Sequence, residues 1–271
     1  MTNFSHRQID LSGGLRIGVE TAGNPRGAPV VFSHAILTSS VMWRAQASLL
    51  ADHGFRVLLL DTRGHGSSTP LSAPYAIEDL ADDVVRVLDA LDIQRAHFVG
   101  LSLGGMTGFS LGIRHPARIA SLVLCDARAD APASYAAPWD ERIDIARQYG
   151  CGALAESTVE RWFGKDFLAS HPYVKAQFVE LIAGTSVEGF AGCARAIQKL
   201  DLLDQVDRIK VPTTLVVGAK DGVLPEAMSE LAKRLPQAVL DVIPAAGHLP
   251  NIDQPVAFNA SLLGHFERYK A

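Results

Sequence analysis

GLSLGGM, residues 100–106, places Ser102 between Gly100 and Gly104, directly after the apolar run Ala96–His97–Phe98–Val99. A serine that merely turns a loop has no need of small residues two positions away on both sides. A serine on a sharp strand-to-helix turn does, because the chain approaches itself closely there and φ/ψ are strained. The Gly-x-Ser-x-Gly pattern therefore predicts a nucleophile elbow, with a strand before it and a helix after it. Five residues can match by chance, so the rest of the chain must supply the strands, the helices and the chemical partners.

The strands are there. APVVFS (28–33), FRVLLLD (55–61), RAHFVG (95–100), IASLVLCD (119–126), TTLVVGA (213–219) and AVLDVI (238–243) are short apolar runs rich in branched residues. Runs of this kind predict buried strands of a parallel sheet. Between them, AIEDLADDVVRVLDALD carries Ile77, Leu80, Val84, Val87, Leu88 and Leu91 at helical spacing, with acids and Arg86 on the opposite face. LGGMTGFSLGIRHP, after Ser102, reads as a helix ended by Pro116, and RQIDLSGGLRIGVE near the start reads as a β-hairpin. The alternation predicts an α/β fold with a doubly wound, mostly parallel sheet. It breaks between residues 128 and 207, where ERIDIARQYG, ALAESTVERWFG, HPYVKAQFVELIAG and EGFAGCARAIQKLDLL all have helical period. The expected organisation is a core of residues 1–127 and 208–271 with a helical cap of residues 128–207, placed over the strands' C-terminal ends where such folds bind ligands.

Bulk properties narrow the partners. The chain has 271 residues, is 48% hydrophobic and 20% charged, and so can bury a large core. A net charge of −4 without a Lys/Arg block argues against nucleic acid. The three cysteines, Cys125, Cys151 and Cys193, are far apart and odd in number, which fits reduced thiols better than a disulfide framework. No apolar run approaches the roughly 18 residues of a membrane span, and the first residues lack a signal-like apolar stretch. The expectation is a soluble cytoplasmic protein that acts on a small molecule, uses no cofactor and is open to assembly with copies of itself. No His/carboxylate spacing of the H-E-x-x-H kind suggests a metal.

Ser102 needs a base to take its proton and an acid to orient that base. His248, in the loop PAAGHLPNIDQP after the last strand, is the expected base, with His34 the runner-up. His53, His115, His171 and His265 fall on or beside helices and read as exposed or packing residues. Asp221, in VVGAKDGVLP, is the expected acid, and Asp126, which ends SLVLCD, is its competitor. An oxyanion hole requires two backbone N–H donors. Leu103, following the nucleophile, supplies one, and Ile36, in the loop SHAILTSS, is expected to supply the other. DTRGHGSS (61–68) collects Asp61, Arg63 and His65 but reads as a tight structural loop, and Trp43 reads as core packing.

Together SHAILTSSVMWR, LLLDTRGHGSS, YAIEDLADDVVRVLDAL, RAHFVGLSLGGM, PTTLVVGAKD and AAGHLPNIDQP resemble the α/β-hydrolase superfamily, most closely its 3-oxoadipate enol-lactone hydrolases of aromatic catabolism. In that pattern the loop after the first core strand usually reads His-Gly-x, and here Ala35 replaces the glycine. The cap phrases WDERIDIARQYG, VERWFG and GFAGCARAI extend the resemblance over nearly the whole chain. The resemblance implies a Ser102–His248–Asp221 hydrolase that opens a lactone or cleaves a small carboxylic ester. Other readings are an esterase or perhydrolase, a carbon–carbon bond hydrolase of meta-cleavage products, and a ligand receptor built on the same fold. Enol-lactone substrates of the resembled family carry a carboxylate. Arg142 and Arg161 are therefore the expected cationic contacts, with Trp139 and Trp162 as apolar walls; Lys165 lies in the same region.

Overall fold

A computed structural model describes residues 2–235 and 237–269. In chain order it comprises β1 (Ser5–Asp10), β2 (Arg16–Gly23), β3 (Pro29–Ser33), α1 (Arg44–Asp52), β4 (Arg56–Leu60), α2 (Ile77–Ala90), β5 (Ala96–Leu101), α3 (Leu103–Arg114) and β6 (Ile119–Cys125). The helices α4 (Ala133–Ala136), α5 (Pro138–Tyr149), α6 (Ala155–Phe163), α7 (Lys165–Ser170), α8 (Pro172–Ala183) and α9 (Val187–Gln198) follow. The chain then returns to the sheet with β7 (Thr213–Gly218), α10 (Leu224–Arg234) and β8 (Ala238–Ile243), and closes with α11 (Pro250–Asp253) and α12 (Pro255–Arg268).

The eight strands form one sheet in the order β1-β2-β4-β3-β5-β6-β7-β8. The hairpin β1–β2 joins antiparallel at one edge and every pairing from β4 to β8 is parallel. Each apolar run becomes a strand because helices cover both faces of the sheet: all of β5 and β7 is buried, and strands buried on both sides have no polar face to alternate with. Parallel pairing brings the C-terminal ends of β3 and of β5 to β8 to one edge, so the loops that carry Ile36, Ser102, Asp126, Asp221 and His248 gather there.

Two buried anchors set that edge. Trp43, fully buried, donates from Nε1 to the Ser33 carbonyl at 3.1 Å and packs against Phe32 and Phe258. Asp61 fixes the loop opposite, since its Oδ1 accepts the Ser40 N–H at 2.8 Å and its Oδ2 accepts the Ser67 N–H at 2.8 Å. The DTRGHGSS loop is therefore structural, as its sequence suggests, with Arg63 paired to Asp83 at 2.7 Å.

Among the inserted helices, α5, α6, α8 and α9 match the four periodic segments, whereas the short α4 and α7 have too few turns to show a period. An isolated bridge between Asp130 and Asp201 ties together the two ends of the insertion. The insertion meets the sheet edge directly, because the Trp162 carbonyl accepts the His248 N–H at 2.9 Å.

Candidate active site

Ser102 adopts φ 55° and ψ −112°, a conformation that L residues rarely take. The two glycines of the motif make it possible. A Cβ on Gly100 would collide with the Gly104 carbonyl, and one on Gly104 would collide with the Ser33 carbonyl. The bend thus brings the end of β5, the first turn of α3 and the end of β3 into backbone contact. Ser102 is 5% exposed and caps the N-terminus of α3, where the unpaired N–H groups favour developing negative charge. The Leu103 N–H lies in that first turn and the Ile36 N–H in the loop after β3; neither has a protein acceptor among the described residues. The departure at Ala35 is accommodated without glycine there, since the positive φ of this loop falls on Leu37 instead (65°).

His248 Nδ1 and Asp221 Oδ2 lie 2.6 Å apart. That contact requires Nδ1 to carry the hydrogen, which leaves Nε2 as the basic nitrogen. Burial disfavours the Asp221 anion, but the adjoining His248, Asp126 and Arg161 outweigh it and hold its carboxyl below the usual range. The loops carrying acid and base are stapled together, the Lys220 N–H donating to the Ala246 carbonyl at 2.8 Å. His248 also stacks on Trp162, with centroids 6.3 Å apart and planes inclined by 23°. Ser102 reaches this cluster through the backbone: its N–H donates to the Cys125 carbonyl, next to Asp126. No Ser102–His248 hydrogen bond is formed among the described residues, and catalytic bonds of this kind are often long before substrate arrives.

His34 is excluded as a base by its own contacts. Its Nε2 accepts the Thr62 N–H at 2.9 Å and its Nδ1 lies 2.8 Å from the Ala35 carbonyl, so both nitrogens are occupied. Of the remaining helix-associated histidines, His53 and His171 are exposed, while His265 packs against Phe266. Asp126 is the other acid of the edge. It does not bond His248 but accepts the Gly218 N–H through Oδ1 at 2.9 Å. Asp126, Asp221 and His248 each place one polar atom within 4.8 Å of the others, the one cluster of metal-ligating type among the described residues. With the Nδ1 hydrogen committed to Asp221, that nitrogen has no lone pair for an ion, and the trio fits a hydrogen-bonded relay better than a metal site.

The sequence-selected residues of the insertion separate into walls and charges. Trp162 is 1% exposed and Trp139 is 7% exposed, the latter beneath the Arg142 guanidinium at 5.2 Å from the ring centroid. Arg142 donates to Thr158 Oγ1 at 3.0 Å, but its Nε is buried without a partner, as is Trp162 Nε1. Burial, and then the neighbouring Arg161, bring the Arg142 pKa down to about 10, still far above neutrality. Arg161 is exposed along a surface cleft, and the protein nearby desolvates it enough to lower its pKa as well. Among the described residues neither arginine forms a salt bridge. Lys165 differs, pairing with Glu160 at 3.3 Å on the surface.

Tyr135 is a residue the sequence reading missed. It lies under the Arg128 guanidinium, within electrostatic range of Arg161 and Asp221, and burial pushes its phenol up to about 12. It sits on the short α4, whose single turn carries no periodic signal.

A family model described as the alpha/beta hydrolase fold matches residues 28–255. The chain is 33% identical over 256 residues to the 3-oxoadipate enol-lactonase 2 of Acinetobacter baylyi, covering 94% of each chain. A relative from Variovorax paradoxus, 32% identical over 259 residues (93% of this chain, 96% of its own), bears a provisional carbamate hydrolase name. Among solved structures, the enol-lactonase from Burkholderia xenovorans LB400 superposes with a TM-score of 0.92 at 33% identity, covering 96% of this chain and all of the other.

Proposed function

The chain belongs to the α/β-hydrolase fold family, and from that membership we propose that it is a serine hydrolase opening a lactone that carries a carboxylate, of the 3-oxoadipate enol-lactone type. Ser102 Oγ attacks the lactone carbonyl while His248 Nε2 accepts its proton, and Asp221 holds the imidazole tautomer and stabilises the imidazolium. The Ile36 and Leu103 N–H groups receive the oxyanion, each such donor contributing about 2.7–4 kcal/mol to the transition state. As the ring opens, the leaving oxygen takes the proton from His248. Water, deprotonated by the same nitrogen, then releases the acyl group from Ser102.

The observation that carries the substrate class is the pair Arg142, partly buried, and Arg161, exposed beside it, neither with a carboxylate partner among the described residues. Partial burial of the Arg142 cation carries a desolvation cost that an anion would offset. Arg161 is near enough to Asp221 to stabilise that acid's charge, so the positive region borders the catalytic groups. A substrate carboxylate would supply the missing partner. Arg161→Ala is expected to raise KM for 3-oxoadipate enol-lactone about tenfold or more, as loss of a charged hydrogen bond of about 1.5–3 kcal/mol implies, with little change for p-nitrophenyl acetate. Equal changes for the charged and the neutral substrate would make a neutral ester or lactone the better reading.

A further inference from the structure

The catalytic reading uses one acid of the sheet edge and leaves the other without a role. Asp126 is 1% exposed and held at φ 45° immediately after β6. One of its oxygens accepts the Gly218 N–H; the other, Oδ2, is buried with no donor directed at it. One carboxyl oxygen of Asp126 and one of Asp221 lie within 4.8 Å of each other, in a cluster shared with His248. Two buried carboxylates this close oppose each other's ionisation, which favours the protonated form of one of them.

The surroundings decide which acid keeps it. Asp221 faces His248 and Arg161, both of which favour its anion. Asp126 faces Asp221, one backbone N–H and, from α11, Asp253, itself raised to about 6 by burial. Among the described residues no arginine or lysine pairs with Asp126; His248 lies within 4.8 Å of it but is committed to Asp221, and the strand neighbour Cys125 is a buried thiol that burial keeps protonated. Burial and the Asp221 charge accordingly push the Asp126 carboxyl well above the carboxylate range.

We propose that Asp126 is a positioning residue for the triad acid: a neutral carboxyl whose Oδ2–H is donated to Asp221 while Oδ1 holds the strand end, at Gly218, that leads to Asp221. The donated hydrogen bond occupies a lone pair of Asp221 and fixes the carboxylate with Oδ2 toward His248. It also tempers the basicity of Asp221, and so limits how strongly the pair attracts a proton onto the imidazole. The proposal rests on the Ser102–His248–Asp221 reading for its catalytic consequence, but not for the protonation state.

Asp126→Ala removes both grips. It is expected to lower kcat tenfold or more and to move the acid limb of kcat/KM to higher pH, because an undamped Asp221 draws a proton onto the base more strongly. Asp126→Asn keeps an acceptor for Gly218 and an N–H for Asp221. It should restore kcat to within about threefold of the parent and leave the acid limb in place. An Asn variant whose acid limb falls by about one unit would show that an ionised Asp126 had been removed, and would overturn the proposal. Infrared difference spectroscopy of the parent against Asp126→Asn, at about two pH units above the Asp253 value of about 6, reads protonation without turnover. A protonated-carboxyl band that disappears in the variant is expected, and no such band overturns the proposal. Ser102→Ala separates the two ideas: if it stays active the triad reading falls, while the infrared result still judges Asp126.

Discussion

Arg63, beside the sheet, and Arg142, among the inserted helices, are both drawn away from solvent, but only Arg63 meets a carboxylate. Its Nε lies 2.7 Å from Asp83, and both residues are nearly buried, at 8% and 6% exposed. Two buried histidines against the sheet also find side-chain partners. His97 Nδ1 and His265 Nε2 both bond Ser121 Oγ, at 2.6 and 2.7 Å, and Thr214 bonds His265 Nδ1 at 2.8 Å. Burial holds these two imidazoles neutral, with pKa values brought down to about 4 and about 3. In the insertion Arg142 leaves Nε unpaired, has Arg161 as its charged neighbour and balances neither charge internally. The buried cation beside the sheet thus has its counter-charge within the fold, whereas Arg142 in the insertion has none among the described residues.

The comparison can be broken at either end. The largest effect is expected at the sheet edge, where Ser102→Ala should reduce turnover by about 10⁶ with the fold retained. Asp221→Asn should cost about 10⁴, since the asparagine stabilises the wrong imidazole tautomer. Steady-state kinetics with circular dichroism as the folding control checks both, and a residual rate within tenfold of the parent would place the nucleophile elsewhere. Next comes Arg63→Ala, which leaves the buried Asp83 only its longer contact with Arg86 at 3.3 Å and should destabilise the protein by about 3 kcal/mol in denaturant unfolding. The smallest is Arg142→Met, which gives up a cation–π contact and one hydrogen bond but removes an unpaired buried charge. Its stability should change by about 1 kcal/mol or less, while KM for an anionic lactone rises. A loss as large as that of Arg63→Ala would mean that the insertion balances its charge after all.

Much of the sheet edge was legible in the chain. The six apolar runs correspond to β3 to β8 within a residue or two at each end, and the hairpin to β1 and β2. The elbow was legible because its requirement is local: Ser102 needs small neighbours two positions away, and those positions are fixed by chain connectivity. The four longer inserted helices were legible for the same reason. By contrast α4, with Tyr135, left no trace, because a single turn buries no periodic stripe.

What the sequence determined by itself is therefore whatever depends on neighbours along the chain: strand and helix period, the strained serine, and the loop positions that carry His248, Asp221 and Asp126. It ranked the two acids by their distance from the histidine loop, and only the tertiary structure pairs Asp221 with His248 at 2.6 Å and turns Asp126 toward the Gly218 N–H. It offered two arginines as cationic contacts, and only packing brings Arg142 beside Arg161, and Arg161 within range of Asp221. The reason is physical. Hydrophobic period is set by local backbone geometry, whereas the charge state of a buried group depends on distances and desolvation created when strands remote in sequence close into one sheet.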